Sequence, residues 1–157
     1  MREALLAAAI LVLALPLLSF GPGEENLTKE QILGTSPEWQ KKYDEYNPPG
    51  DMIDALKTRL SAEVKIDVYL GVWCDDSRDN LPPFIKILDL AAAQAAVRYV
   101  GVPKKPGKDV KYFVEQYQVE RVPTFIVFRG GKEMGRIVEN PKMGIIEDLM
   151  EIVFRDN

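Results

Sequence analysis

Histidine is absent from these 157 residues, and cysteine occurs only once, at Cys74. Without histidine there is no Ser-His-Asp triad, no Cys-His pair and no zinc site of the Cys/His type. A single cysteine excludes any disulfide within the chain, so thiol chemistry here needs a second molecule. Positive charge is also in deficit. The 20 basic and 24 acidic side chains leave a net charge of -4, which argues against the broad positive field of a phosphate-tracking surface, and no nucleic-acid partner is expected. Length leaves no room for two independent cores, while 46% hydrophobic and 28% charged residues are the balance of an ordinary folded domain. One core and one site are expected.

What is present begins with twenty uncharged residues, Ala4 to Gly23, behind a short Met1-Arg2-Glu3 head. The apolar part, Ala4 to Leu18, is 15 residues, short for a spanning helix, and Pro16 breaks it near its end. No polar face interrupts the run, which disfavours a buried core helix. Residues 1–23 therefore read as a secretory signal peptide. Gly21 and Gly23 flank an awkward Pro22 at the cleavage region, so an uncleaved N-terminal membrane anchor through residues 4–20 is the alternative. No cysteine follows the run, which excludes a lipoprotein anchor. The expected location is outside the cytoplasm, periplasmic or extracellular. Removing residues 1–23 deletes one Arg and one Glu and leaves the net charge unchanged.

Residues 24–50 read as a polar helical lead-in. Thr28 to Gln31 and Thr35 to Glu38 have capping-box spacing, and Trp39, Tyr43 and Tyr46 form an aromatic stripe expected to pack on the domain. From residue 51 the pattern is regular. Asp51 is expected to cap a helix carrying Ile53, Leu56 and Leu60, and Val64 to Val72 is a β-branched strand. Leu81, Phe84, Ile85 and Leu88 mark a long helix after Cys74, Val97 to Val102 a second buried strand, and Asp109 the cap of a short helix. Strands Thr124 to Phe128 and Glu133 to Val138 are joined around Gly130-Gly131, a hairpin by turn chemistry. Asn140-Pro141 has the cap-and-N1-proline order that opens a last helix with Ile145, Leu149, Ile152 and Val153 inward. Strands separated by helices pair in parallel through right-handed crossovers, and the closing hairpin adds an antiparallel edge. The expected fold is a three-layer α/β/α sandwich with a mixed sheet, spanning residues 51–157.

Cys74 lies where a buried strand meets a helix, and unpaired N–H groups at a helix N-terminus favour the nucleophilic thiolate. A lone cysteine is more often a small buried hydrophobe. Here Asp75, Asp76, Ser77, Arg78 and Asp79 follow it and cannot all be buried cheaply, which argues for an accessible thiol. Asp75 and Asp76 oppose its ionisation, whereas Ser77 and the helix terminus favour it. Val122-Pro123-Thr124 precedes a strand that should run antiparallel to the one delivering Cys74, so both reach the same sheet edge. A cis bond at Pro123 would leave the Val122 backbone free to pair with an extended peptide. The lysines at 104, 105, 108 and 111 read as a solvated loop. Asp75, Asp76 and Asp79 lack a glycine-bearing calcium loop, and neither a metal nor a cofactor is expected.

These residues together resemble the thioredoxin-like family, in its secreted branch. The resemblance spans about residues 51 to 155. It rests on Trp73-Cys74-x-x-Ser77, Pro82 eight residues past the cysteine, Val122-Pro123-Thr124, and Gly130-Gly131-Lys132. It implies that Cys74 is the attacking cysteine, Trp73 its flanking aromatic, Pro123 a cis-proline beside the thiol and Pro82 a kink in the active-site helix. Two departures accompany it. Ser77 stands where the family has its resolving cysteine, and Val68 replaces the buried acid six residues before the attacking one, with Asp67 turned to the opposite face by strand alternation. The expected activity is monothiol chemistry: Cys74 attacks a disulfide or sulfenic acid on an exported protein client, and an external thiol reductant releases the mixed disulfide. The alternative is a non-catalytic module that keeps the groove around Pro123 for extended polypeptide.

Overall fold

The middle strand of the sheet is buried on both faces except at Lys65, and five of its seven residues are apolar. In the computed structural model, residues 24–104 and 108–155 are described, with side chains for 24–104 and 111–155. The elements run β1 (Glu25–Leu27), α1 (Lys29–Leu33), α2 (Pro37–Glu45), α3 (Gly50–Arg59), β2 (Val64–Leu70), α4 (Asp75–Leu90), β3 (Ala96–Gly101), α5 (Lys108–Tyr117), β4 (Thr124–Arg129), β5 (Lys132–Val138) and α6 (Ile145–Phe154). They form one five-stranded sheet in the order β1-β3-β2-β4-β5. β2 pairs parallel with β3 and antiparallel with β4, and β4 antiparallel with β5. The expected mixed sheet and helix–strand order from residue 51 onward are therefore present.

Strand alternation divides the core in two. Val64, Ile66, Val68 and Leu70 face a large aliphatic cluster with Leu56 of α3, Leu81 and Phe84 of α4 and Leu149 of α6. Tyr69 turns the other way, to Val100, Phe113, Val119 and Ile126, under α5. Full burial of each large apolar side chain is worth about 1.5–3 kcal/mol, so the sheet is held from both sides. The β4–β5 hairpin turns through Gly130 and Gly131 at φ +56° and +81°, the left-handed pair that a two-residue hairpin loop requires.

Several boundaries differ from the sequence pattern. The lead-in supplies a strand as well as helices: β1 pairs antiparallel with β3, Glu25 opposite Gly101. Three residues carry too little alternation to announce it. The Thr28 capping box is present, but α2 starts from Ser36 and Pro37 rather than Thr35, because the proline sets the first helical turn. Asp51 lies inside the first turn of α3, behind Pro49 and Gly50. β2 stops at Leu70, because residues 71–74 close a turn through a Cys74 N–H to Gly71 carbonyl bond of 2.9 Å. β3 is mostly half-exposed rather than buried, with only Val100 fully enclosed, since its outer neighbour is the short β1. Asn140-Pro141 does not open α6, which begins at Ile145 after Gly144. The Asp148 carboxylate instead accepts the Lys142 and Met143 amides, at 2.7 and 3.1 Å, and holds residues 142–143 as a turn outside the helix. α5 opens at Lys108, ahead of Asp109, whose side chain lies outside the described residues. The leader or anchor read in residues 1–23 also lies outside them. Among the described residues no helix is long and apolar enough to cross a membrane.

Candidate functional site

β2 and β3 run in parallel, so the loops leaving both strands meet at one sheet edge, and antiparallel β4 begins there too. The connection from β2 is short because it packs tightly. A Cβ added at Gly71 would lie 2.7 Å from the Trp73 ring, so only glycine leaves room for that indole. Trp73 remains 40% exposed, with its indole N–H donating to the Val102 carbonyl at 2.9 Å. The next residue, Cys74, is the extended N-cap of α4; its carbonyl accepts the first helical bond from Arg78, while its side chain makes no capping bond.

The thiol is thereby free to point across the edge. Cys74 is partly exposed, and its Sγ lies 3.3 Å from the Val122 carbonyl as a hydrogen-bond donor. The Val122–Pro123 peptide bond is cis. Val122 lines a groove of about 300 Å³ together with Trp73, Cys74, Asp76, Val102 and Phe113. Pro123 and Thr124 are buried behind it: the Pro123 carbonyl accepts the Glu139 amide at 2.7 Å, and the Thr124 hydroxyl donates to the Arg121 carbonyl at 2.7 Å. They brace the turn that presents Val122, itself only 9% exposed; the sequence reading expects all three residues to bind the client.

Ser77 is fully buried, with its hydroxyl accepting the Gly71 amide at 3.2 Å. The two neighbouring aspartates separate. Asp75 points to solvent and pairs with Arg78 at 3.1 Å, while Asp76 lines the groove and accepts from the Asn140 side chain at 3.1 Å. Asn80 in turn donates to Asn140 and to the Glu139 carbonyl, at 3.2 and 3.3 Å, tying α4 to the end of β5. On the groove rim Arg121 and Glu139 pair at 2.7 Å, and Lys104 stands 5.9 Å from the Trp73 ring centre. Of the other loop lysines, Lys111 pairs with Glu115 at 3.3 Å, and the side chains of Lys105 and Lys108 are outside the described residues.

No carboxyl lies at the position before the thiol where the resemblance places one. Val68 is fully enclosed in the aliphatic cluster. Asp67 is buried on the α5 side and accepts from Arg98 through two guanidinium nitrogens, at 3.2 and 3.1 Å, with Lys65 at 3.1 Å. Among the described residues no group of three or more Asp, Glu, Cys or His could hold a metal ion. The arrangement offers one accessible thiol, a carbonyl beside it and an elongated, partly apolar trough. Val102, Phe113 and Asn80 were not singled out from sequence as site residues, and Asn140 was read only as a helix cap. Parallel pairing of β2 and β3 would have brought Val102 to this edge, but the Asn140 signal was absorbed by its likeness to a helix cap.

The strand order, the helix that follows the central strand and opens at Cys74, and the cis-proline turn facing the thiol make this a thioredoxin-like α/β fold. Among solved structures, a Pseudomonas aeruginosa protein described as of unknown function superposes with a TM-score of 0.60 at 16% identity, over 78% of this chain and 83% of that one. A Fasciola hepatica thioredoxin gives 0.45 at 19% identity, over 67% of this chain and 91% of its own. A thioredoxin from Arabidopsis thaliana gives 0.44 at 20%, over 66% and 90%. No family model and no curated protein matches the sequence.

Proposed function

We propose that this is an exported protein, periplasmic or extracellular, that carries out monothiol chemistry on polypeptide clients through Cys74. The observation that carries the reading is the placement of half-buried Cys74 at the head of α4, its Sγ 3.3 Å from the Val122 carbonyl, in the lining of a groove of about 300 Å³. The client lies extended against Val122. The Cys74 thiolate attacks one sulfur of a client disulfide, forms a Cys74–client disulfide and expels the second client sulfur as a thiolate. That thiolate, another client thiolate or an external thiolate then attacks the client sulfur of the adduct and expels Cys74 unchanged. Exchange with another client cysteine isomerises the client, and exchange with an external thiol begins its reduction. On a sulfenic acid the same attack releases water. The export component rests on the uncharged run of residues 4–23.

Ser77 and Val68 favour a second reading. With no second thiol in the chain and no acid at position 68, the fold would serve as a binding module that keeps the trough and has lost turnover. Client capture by wild type, Cys74→Ser and Ser77→Cys under non-reducing conditions separates the two. The thiol reading expects a persistent, thiol-reversible adduct with wild type, none with Cys74→Ser, and a shorter-lived one with Ser77→Cys, which supplies a second thiol one helical turn on. Equal capture by wild type and Cys74→Ser without any covalent adduct would leave only the binding module. Protein for these assays should be recoverable from outside the cytoplasm, with a mass placing its first residue near Glu24 if the leader is removed. Recovery solely as intact cytoplasmic chain would refute export.

A further inference from the structure

Trp73 is the shared wall of two hollows. The first is the groove of Cys74. The second, of about 400 Å³, lies between the loops leaving β2 and β3 and the added strand β1, lined by Glu25, Leu27, Val72, Trp73, Val102 and Pro103. Its apolar lining is uncovered, with Val72 46% and Trp73 40% exposed. At its border the Gln31 Oε1 accepts the Thr28 amide at 2.8 Å, and the Thr35 hydroxyl donates to the Gln31 carbonyl at 3.2 Å. Glu25 is the one charged residue of this lining, and among the described residues nothing pairs with its carboxylate. Lys104 belongs to the lining of the first groove and not to that of the second.

We propose that the second hollow seats a lysine or arginine side chain of the client, carried a few residues from the disulfide that Cys74 attacks. The inference rests on the thiol reading above and adds the class of client to it. A long cationic side chain is amphipathic: its methylenes cover Leu27, Val72 and the Trp73 ring, and its head remains at the wet rim beside Glu25. An aspartate or glutamate in the same place would meet Glu25 as a like charge, so the hollow discriminates as well as attracts.

The test uses the intact protein and peptides bearing one cysteine as a mixed disulfide with a chromogenic aromatic thiol. Attack by Cys74 at the peptide sulfur joins the peptide to the protein and expels the coloured thiolate. Peptides carry Lys, Gln or Glu at each of several offsets from the cysteine, and the rate of colour release is followed. At one or two offsets the Lys peptide should react about three- to fivefold faster than the Glu peptide, the range of one solvent-exposed ion pair. Glu25→Gln should bring that ratio to near one. Glu30→Gln, the same charge change on an exposed residue outside the hollow, should keep it. A ratio near one for wild type at every offset overturns the inference and leaves the thiol reading standing, as does a ratio that survives Glu25→Gln. If no peptide reacts faster with wild type than with Cys74→Ser, the thiol reading fails and the inference falls with it.

Discussion

Ser77 sits one turn into α4 at the position from which a second thiol would act, yet its hydroxyl is fully enclosed and accepts the Gly71 amide. Gly71 starts the turn that carries Trp73 and Cys74, so the serine secures the backbone from which the thiol projects. Ser77→Ala leaves that buried amide without its acceptor and should lower unfolding stability by about 1–3 kcal/mol in denaturant titration. An unchanged midpoint would mean that water replaces the hydroxyl without loss. At this scale the sequence disclosed residue types better than their surroundings. Cys74 stood out as a lone cysteine followed by charges and Val122 by the proline that opens a strand, while Trp73 was singled out only by the family resemblance. The inward turn of Thr124 and the burial of Pro123 were not legible, since both depend on which carbonyl and amide groups the folded turn leaves open.

Helices and long strands were legible from their periodicity, and their ends much less so. Asn140-Pro141 carries a strong local start signal, but the Asn140 side chain is engaged with Asp76 and Asn80, contacts 64 and 60 residues distant in sequence. Asp148 takes over the amides of the preceding turn, reaching back from inside α6. Asp148→Ala should therefore cost about 1.5–3 kcal/mol, as expected for hydrogen bonds to a charged group, and Asp148→Asn less, because an amide oxygen retains part of the acceptor capacity. Amide exchange at Lys142 and Met143 checks the cause: protection there should fall in both variants and most in the alanine. β1 was illegible for a different reason. Glu25-Asn26-Leu27 has no strand pattern of its own and becomes a strand only because β3 offers it an open edge.

The three-layer plan of the whole molecule was legible from element order, whereas its division into an aliphatic core on one side of the sheet and a Tyr69-centred set under α5 on the other was not. What element order does not reveal is how the molecule responds to alkali. Tyr43 is pushed up to about 12, first by burial and then by its hydrogen bond to Asp89, and Tyr69, Tyr99 and Tyr117 are likewise held above the ordinary phenol range, in each case chiefly by burial. A raised folded-state value means that above a pH of about 10 the unfolded chain loses protons that the folded chain retains. The contribution of these phenols is fully present below that pH and is lost as pH rises through the folded values. Urea midpoints should therefore fall steeply between about pH 10 and 12, and less steeply in Tyr43→Phe. A midpoint insensitive to pH across that interval would contradict the burial argument. The two tryptophans have unequal settings too: Trp39 is 2% exposed in the aliphatic core, whereas Trp73 is 40% exposed between the two hollows. The protein thus carries its own optical probe, with a blue emitter enclosed in the core and a red, quenchable one placed where any occupant of either hollow must displace water from the indole.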